Sequence, residues 1–217
     1  MACVENNFNT FTRSLDIEVL SKELILHQKL EGDVGCVVWD AGIVLAKYLE
    51  ELYKRDPQFL QGINVLELGA GLGPVGLVAA SLGANVMLTD LSEAIPLLRF
   101  NINKNKSLCR GSVRCAILKW GENIDFGYIP GKILLADCVY YKESIDSLIK
   151  TLKYYAGRDT EIILAQELRE SDMQKSNWTY FLESIQKDFQ WIEIPLSEQN
   201  SNYSSSDIVI LKLYKIS

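Results

Sequence analysis

Short apolar runs alternate with amphipathic stretches along most of this chain. The runs at 64–68, 86–89, 113–118, 132–136 and 161–166 predict buried strands. Apolar residues at helical spacing predict helices from Asp40 and over 74–82, 92–104, 144–155 and 172–187. Asp40 and Ser92 are expected to cap their helices, and Gly83 to end the helix before it.

Two further strands are predicted at 190–195 and 208–214, and only the polar segment 197–207 separates them. Alternation of strand and helix predicts a parallel sheet, whereas two strands joined without a helix predict an antiparallel pair. We therefore expect an α/β Rossmann-like fold, seven-stranded and mostly parallel, with an antiparallel C-terminal hairpin. The segment 197–207 is interpreted as a flexible hairpin loop, with a substrate lid as the alternative.

The most informative stretch is Val65-Leu66-Glu67-Leu68-Gly69-Ala70-Gly71-Leu72-Gly73, where a strand enters a glycine-rich turn. From Gly71 the chain also fits the dinucleotide pattern G-x-G-x-x-G, and Asp90 follows about twenty residues on. A carboxylate there can accept hydrogen bonds from two ribose hydroxyls. The alternative for Asp90 is an acid at a helix entrance with no ligand.

Glu67 bears on which nucleoside this turn would hold. A carboxylate just before the turn would repel the pyrophosphate of a nicotinamide cofactor and attract a sulfonium or an ammonium group. The charge therefore favours S-adenosylmethionine, with Glu67 as part of its site. A nicotinamide-dependent oxidoreductase remains the alternative from the glycine pattern alone.

A second constellation, Asp137-Cys138-Val139-Tyr140, follows the buried run 132–136. Ligands of open α/β sheets bind at the carboxyl ends of strands, so Asp137 and Tyr140 are candidates for catalysis. Asp137 could orient an amine that accepts a methyl group, and aromatic faces such as Tyr140 could stabilise an ammonium product. The alternative is that Asp137 caps a turn and Tyr140 is core. Cys138 is interpreted as a small buried hydrophobe.

Composition narrows the function classes. The chain has 217 residues and a net charge of −6, which argues against binding of nucleic acid through phosphates. Five cysteines without C-x-x-C spacing and one histidine, His27, indicate no metal site but reduced, mostly buried thiols. Neither a signal peptide nor a membrane span is evident, so we expect a protein of the cytoplasm, or also of the nucleus.

Four segments together resemble the seven-β-strand protein lysine methyltransferases often called family 16. They are Gly35-Cys36-Val37-Val38-Trp39-Asp40, Val65 to Gly73, Leu118-Lys119-Trp120-Gly121 and Ala136 to Tyr140. The resemblance implies a class I methyltransferase sheet, one domain over 1–217 with a short variable arm at about 1–32, and S-adenosyl-L-methionine as cofactor. It also implies that the cofactor pocket is lined by Trp39, Gly69, Ala70, Gly71, Asp90, Trp120 and Ala136.

The same family carries a Glu-x-Arg element, matched here by Glu167-Leu168-Arg169. Its central residue is Gln in similar proteins, so Leu168 is a departure. Glu167 either helps to hold the substrate lysine or forms a structural ion pair with Arg169. The resemblance further implies a protein substrate, an AAA ATPase of the valosin-containing type. The alternatives are methylation of a small molecule or another amine, and a non-catalytic module that binds a chaperone.

Overall fold

The computed structural model describes residues 10–29 and 34–216, which form nine strands and five α-helices. The strands are β1 (Thr10–Ile17), β2 (Lys22–Lys29), β3 (Asn64–Leu68), β4 (Asn85–Asp90), β5 (Val113–Ile117), β6 (Lys132–Ala136), β7 (Glu161–Glu167), β8 (Phe189–Glu193) and β9 (Ile208–Lys215). The helices are α1 (Asp40–Arg55), α2 (Pro74–Ser81), α3 (Ile95–Asn105), α4 (Lys142–Tyr155) and α5 (Asp172–Ile185).

Seven of the strands form one sheet in the order β5-β4-β3-β6-β7-β9-β8. The pairs from β5 to β7 are parallel, and β9 is antiparallel to both of its neighbours. This confirms the predicted sheet and its antiparallel C-terminal hairpin. The order reverses between β3 and β6, and such a switch point leaves a crevice at the carboxyl ends of the strands.

Both faces of the sheet are covered, which explains why its central strands are apolar over most of their length. Val65 of β3 belongs to the core shared with α1, α2 and α3. Its neighbour Leu66 points the other way, into the core shared with α4 and α5. The central strands are thereby fixed from two sides, and the loops at their carboxyl ends stand on a rigid base.

Two of the predicted helix caps are wrong. Asp40 is the first residue of α1, and Trp39 occupies the cap position without a side-chain hydrogen bond. The helix expected from Ser92 begins three residues later, because a turn precedes it and Ala94 takes the cap position. The Ser92 hydroxyl donates instead to Glu93 at 2.9 Å.

The sequence analysis assigned no structure to the N-terminal arm, but β1 and β2 form an antiparallel hairpin there. Two buried asparagine side chains of α3 hydrogen-bond to backbone groups of β2, as a neighbouring strand would. Asn101 Oδ1 accepts from the N–H of His27 at 2.8 Å, and Asn105 Oδ1 accepts from that of Ile25 at 3.0 Å. His27 is an ordinary strand residue of β2. The rest of the arm, residues 1–9 and 30–32, lies outside the described residues.

The polar segment 197–207 lies along α1. The Arg55 guanidinium donates to the carbonyl oxygen of Glu198 at 2.8 Å, and Asn200 donates to the Glu51 carboxylate at 2.7 Å. Further on, the Tyr203 ring packs 4.7 Å from the Lys47 ammonium. The segment is therefore fastened to the helix along its length, in contrast to the flexible loop that was predicted.

Four cysteines fall within the described ranges, and all four are free. Cys138 alone among them is buried, whereas Cys36, Cys109 and Cys115 are half-buried. The expectation of mostly buried thiols is thus wrong for three of the four, and Cys3 lies outside the described residues. No helix in the described part of the chain is long and apolar enough to cross a membrane.

Candidate active site

The glycine-rich turn after β3 lies at the switch point of the sheet. Gly69 adopts a φ of 64° and Gly71 a φ of 53°, a left-handed conformation that side chains disfavour. At Gly69 the space is also closed, because a Cβ there would lie 2.9 Å from the Cys138 sulfur and 3.1 Å from the Trp120 ring. Position 69 therefore accepts only glycine, because Cys138 and Trp120 fill the space where its side chain would lie.

Asp90, the last residue of β4, braces this turn. Its Oδ2 accepts from the N–H of Gly71 at 2.7 Å, and its Oδ1 accepts from the N–H of Leu91 at 2.7 Å. Burial raises the pKa of Asp90, and these two hydrogen bonds oppose that rise. An ionised carboxylate offers about four acceptor positions, so capacity for two further donors remains.

Glu67 lies behind the turn and inside the protein, with an exposed fraction of 2%. Its Oε2 accepts from the N–H of Gly76 in α2 at 2.8 Å. Burial raises the pKa of Glu67 to about 8, although the hydrogen bond from Gly76 lowers it. The carboxyl is thus mostly protonated at neutral pH. A neutral Glu67 repels a pyrophosphate and attracts a sulfonium less than the ionised carboxylate that the sequence indicated. A place for Glu67 in the cofactor site stays a prediction.

The raised pKa of Glu67 gives a pH dependence of stability that can be measured. Between pH 4.5 and about 8 the folded chain holds a proton on Glu67 that the unfolded chain has lost, so folding weakens as pH rises. Glu67→Gln removes this titration but keeps an acceptor for Gly76. We expect the free energy of unfolding of the variant, relative to that of the wild type, to rise by up to about 1.4 kcal/mol per pH unit in that window. Urea unfolding at pH 5.5 and pH 7 tests this, and a pH-independent difference would contradict it.

Asp137 turns the chain sharply at the end of β6. Its φ is 54°, a left-handed conformation that aspartate tolerates better than most residues, and its N–H donates to the carbonyl oxygen of Ala165 at 2.8 Å. The turn directs the Asp137 side chain inward, where it is almost entirely buried. A residue at a strand end has thereby become a buried acid at the carboxyl edge of the sheet.

Residues at the end of β7 hold this carboxylate. Gln166 Nε2 donates to Asp137 Oδ1 at 2.8 Å, while Arg169 pairs with Asp137 Oδ2. The same nitrogen of Arg169 reaches Glu167 Oε2 at 3.0 Å. Burial raises the pKa of Asp137, and the Arg169 guanidinium acts against that rise. One cationic nitrogen thus bridges the two acids that the sequence had proposed for catalysis.

Aromatic side chains surround these acids. The Arg169 guanidinium lies over the Trp39 ring, 5.3 Å from its centroid, and the Trp39 side chain is exposed. Tyr140 packs edge-on against Tyr141 with centroids 4.6 Å apart. Burial raises the pKa of the Tyr140 phenol to about 12, so it stays neutral. The structure therefore brings Trp39, Asp137 and Glu167 together around Arg169.

The other predicted cofactor residues line the turn. Ala70 is buried and its N–H donates to the carbonyl oxygen of Thr89 at 2.9 Å. Trp120 packs against Gly69, and Ala136 ends β6 beside α1. Burial raises the pKa of the Cys138 thiol well above its usual range, which supports its interpretation as an inert hydrophobe. A contact of these residues with cofactor stays a prediction.

Sequence reasoning missed Gln166. It is 2% exposed, and its carbonyl oxygen also accepts from the N–H of Val139 at 3.0 Å, so it links the ends of β6 and β7. A polar residue at the end of the apolar run from Ile162 was the available signal. Arg169 was considered only as a partner of Glu167, and its bond to Asp137 was not foreseen.

Comparison with known proteins gives consistent matches. The profile of a family described as "Lysine methyltransferase" matches residues 19–188. Protein N-lysine methyltransferase METTL21A of Danio rerio is 44% identical over 140 residues, which are 63% of this chain and 62% of that protein. EEF1A lysine methyltransferase 3 of Xenopus tropicalis is 35% identical over 165 residues, 75% of this chain and 71% of that protein. The matched part of the chain thus spans 62% of the METTL21A protein.

Solved structures show the same fold at low sequence identity. The 16S rRNA methyltransferase RsmC of T. thermophilus, in complex with AdoMet and guanosine, matches with a TM-score of 0.65 and 19% identity. The match covers 95% of this chain and 51% of RsmC. A TehB-like SAM-dependent methyltransferase from Corynebacterium glutamicum matches with a TM-score of 0.58 and 14% identity, over 84% and 90% of the two chains.

Proposed function

The chain belongs to the lysine methyltransferase family, and from that membership we propose that it transfers a methyl group from S-adenosylmethionine to a lysine side chain of a protein. The observation that carries the proposal is the pair of acids, Asp137 and Glu167, beside the bare glycine turn. Arg169 neutralises one of their two charges, so one negative charge remains where an amine must be held, next to the place where a nucleoside can lie.

The residues present fit this cofactor. Gly71 leaves backbone open to a ligand, because a Cβ there would meet only the carbonyl oxygen of Gly35, at 3.7 Å. Asp90 has acceptor capacity for the ribose hydroxyls. Trp120 packs the edge of its indole on Gly69, so a face of the ring could stack with an adenine beside the turn. When bound, S-adenosylmethionine supplies an electrophilic methyl group on a sulfonium.

The chain's own residues would position the acceptor. Free lysine has a pKa of about 10.4 and is mostly an ammonium ion at neutral pH, whereas attack needs the neutral amine. Asp137 and Glu167 attract the ammonium and orient its nitrogen, which loses a proton to water before it reacts. A nitrogen–carbon bond then forms as the carbon–sulfur bond breaks. Trp39 and Tyr140 offer ring faces to the cationic product.

A protein substrate is favoured over a small molecule by the surface around the acids. Exposed apolar side chains stand on the loops and helix starts at this edge, and such patches mark sites of protein interaction. They are Trp39, Leu91, Ile117, Tyr141, Leu168 and Met173. A metabolite enzyme would instead enclose its acceptor in a pocket.

The finer proposal concerns the substrate. The sequence resemblance supports an AAA ATPase of the valosin-containing type. A second candidate is EEF1A, because a relative that is 35% identical is named as its lysine methyltransferase. The exposed apolar side chains at this edge support either protein as the substrate.

Labelling of a cell extract tests both the lysine methyltransferase activity and the identity of the substrate. The protein is incubated with extract and methyl-labelled cofactor, and purified valosin-containing ATPase and EEF1A are added in separate reactions. We expect label on the ATPase at a lysine, and none with an Asp137→Asn variant. Label on EEF1A alone would overturn the finer proposal. Absence of any labelled protein, or thermal stabilisation by a nicotinamide cofactor instead of S-adenosylmethionine, would overturn the activity.

A further inference from the structure

A concavity opens beside the segment 166–170. It has a volume of about 250 Å³ and lies between this segment and the first half of α5. Apolar walls come from Val139, Leu168 and Trp178. Gln166 and Arg169, which hold Asp137, line it as well, and so does Glu167, so the cavity adjoins the two acids.

Contacts within the protein hold the walls in place. The Trp178 ring stacks on Phe181 with centroids 5.5 Å apart and an angle of 17° between the planes. Gln174 and Asn177 donate to the carbonyl oxygen of Tyr140 at 3.1 and 3.0 Å, which fastens the start of α5 to the end of β6. The cavity is thus preformed, and an occupant would not have to organise it.

The size and chemistry of the cavity identify its occupant. Its volume of 250 Å³ is below the roughly 300–1,000 Å³ of small-molecule sites, which favours one side chain of a larger ligand. Leu168 is 37% exposed at the cavity, an apolar surface that water solvates poorly. Glu167 and Glu170 line the same cavity together with Arg169 and Lys175, so the charges around it balance and its apolar walls are the feature that selects a ligand.

We propose that this cavity is a specificity subsite that takes an apolar side chain of the substrate protein while the neighbouring lysine reaches Asp137. The inference rests on the proposed lysine methyltransferase function and names the surface feature that the substrate must carry. Leu168 and Trp178 select the apolar residue, and Glu167, which lines the cavity and bonds Arg169 beside Asp137, serves the lysine. Substrates without an apolar side chain beside the lysine are methylated poorly.

Two variants test the subsite on the protein that the wild type labels in extract. Leu168→Asp places a charge in the cavity while its backbone N–H can still donate to the Asp207 carbonyl oxygen, and Trp178→Ala removes one wall. We expect KM for that substrate to rise tenfold or more in each variant. The value of kcat and the affinity for the cofactor should stay unchanged. Leu196→Asp and Trp191→Ala are matched controls at exposed sites remote from the cavity.

A change in the substrate protein gives a second test of the subsite. Mass spectrometry locates the methylated lysine, and its apolar neighbour is changed to Asp. This change should raise KM for the wild-type protein and add little to the loss already present in Leu168→Asp, because both remove the same contact. Unchanged KM in the folded Leu168→Asp variant, or a methylated lysine with only polar neighbours, overturns the subsite. A wild type that labels no protein refutes the proposed function itself.

Discussion

Asp137→Asn is expected to lower kcat/KM for the protein substrate about a thousandfold, equivalent to about 4 kcal/mol of transition-state stabilisation. The substitution keeps the size of the side chain and, because asparagine also tolerates the left-handed region, the φ of 54°. It removes the negative charge that would orient the amine. Loss of one preorganised electrostatic group typically costs about 10²–10³ in rate. Here Arg169 would keep Glu167 as its acid partner but would lose its ion pair with the buried carboxylate.

Cofactor binding separates this role from a structural one. The Asp137 carboxylate bonds Gln166 and Arg169 rather than the glycine turn, so calorimetry should give S-adenosylmethionine nearly the same affinity for the variant and the wild type. Asp159→Asn, at an exposed position before β7 on the opposite edge of the sheet, is the matched control and should be fully active. Turnover at the wild-type rate in Asp137→Asn would exclude the role assigned to Asp137.

The fold could be predicted from the sequence largely because the sheet is buried on both faces. Strands such as β3 and β6 are mainly apolar, and both have the bounds that the pattern predicted. The hairpin of β1 and β2 was not predicted, because only one face of β2 is buried, at Leu24 and Leu26. Its backbone edge is also hydrogen-bonded by the side chains of Asn101 and Asn105. Those partners lie more than seventy residues away, beyond the reach of local pattern.

The candidate site was predictable in its positions but not in its charges. Strand ends placed Asp90 and Asp137 at one edge, since parallel strands end together. Whether Glu67 is ionised depends on burial, which raises its pKa to about 8 and which no motif encodes. Likewise the spacing of Glu167 and Arg169 indicated an ion pair, but the shared bond to Asp137 depends on how β6 and β7 align.

Asp90→Ala is expected to weaken binding of S-adenosylmethionine about a thousandfold. Two hydrogen bonds from ribose hydroxyls to an ionised carboxylate contribute about 1.5–3 kcal/mol each, and the variant loses both. It also loses the acceptor for the Gly71 N–H, so the glycine turn is held less firmly. Calorimetry measures the affinity, and thermal unfolding without cofactor measures the second effect, for which a loss of about 1–3 kcal/mol is expected.

Asp90→Asn distinguishes these two effects. Its amide retains one carbonyl oxygen, which can accept from Gly71 and keep the turn in place, but the NH₂ group faces the N–H of Leu91 or a ribose hydroxyl as a donor. Stability should therefore recover more fully than affinity. If instead the folded Asp90→Ala variant binds S-adenosylmethionine as tightly as the wild type, the ribose is held elsewhere. The glycine turn would then have to supply the affinity through its backbone alone.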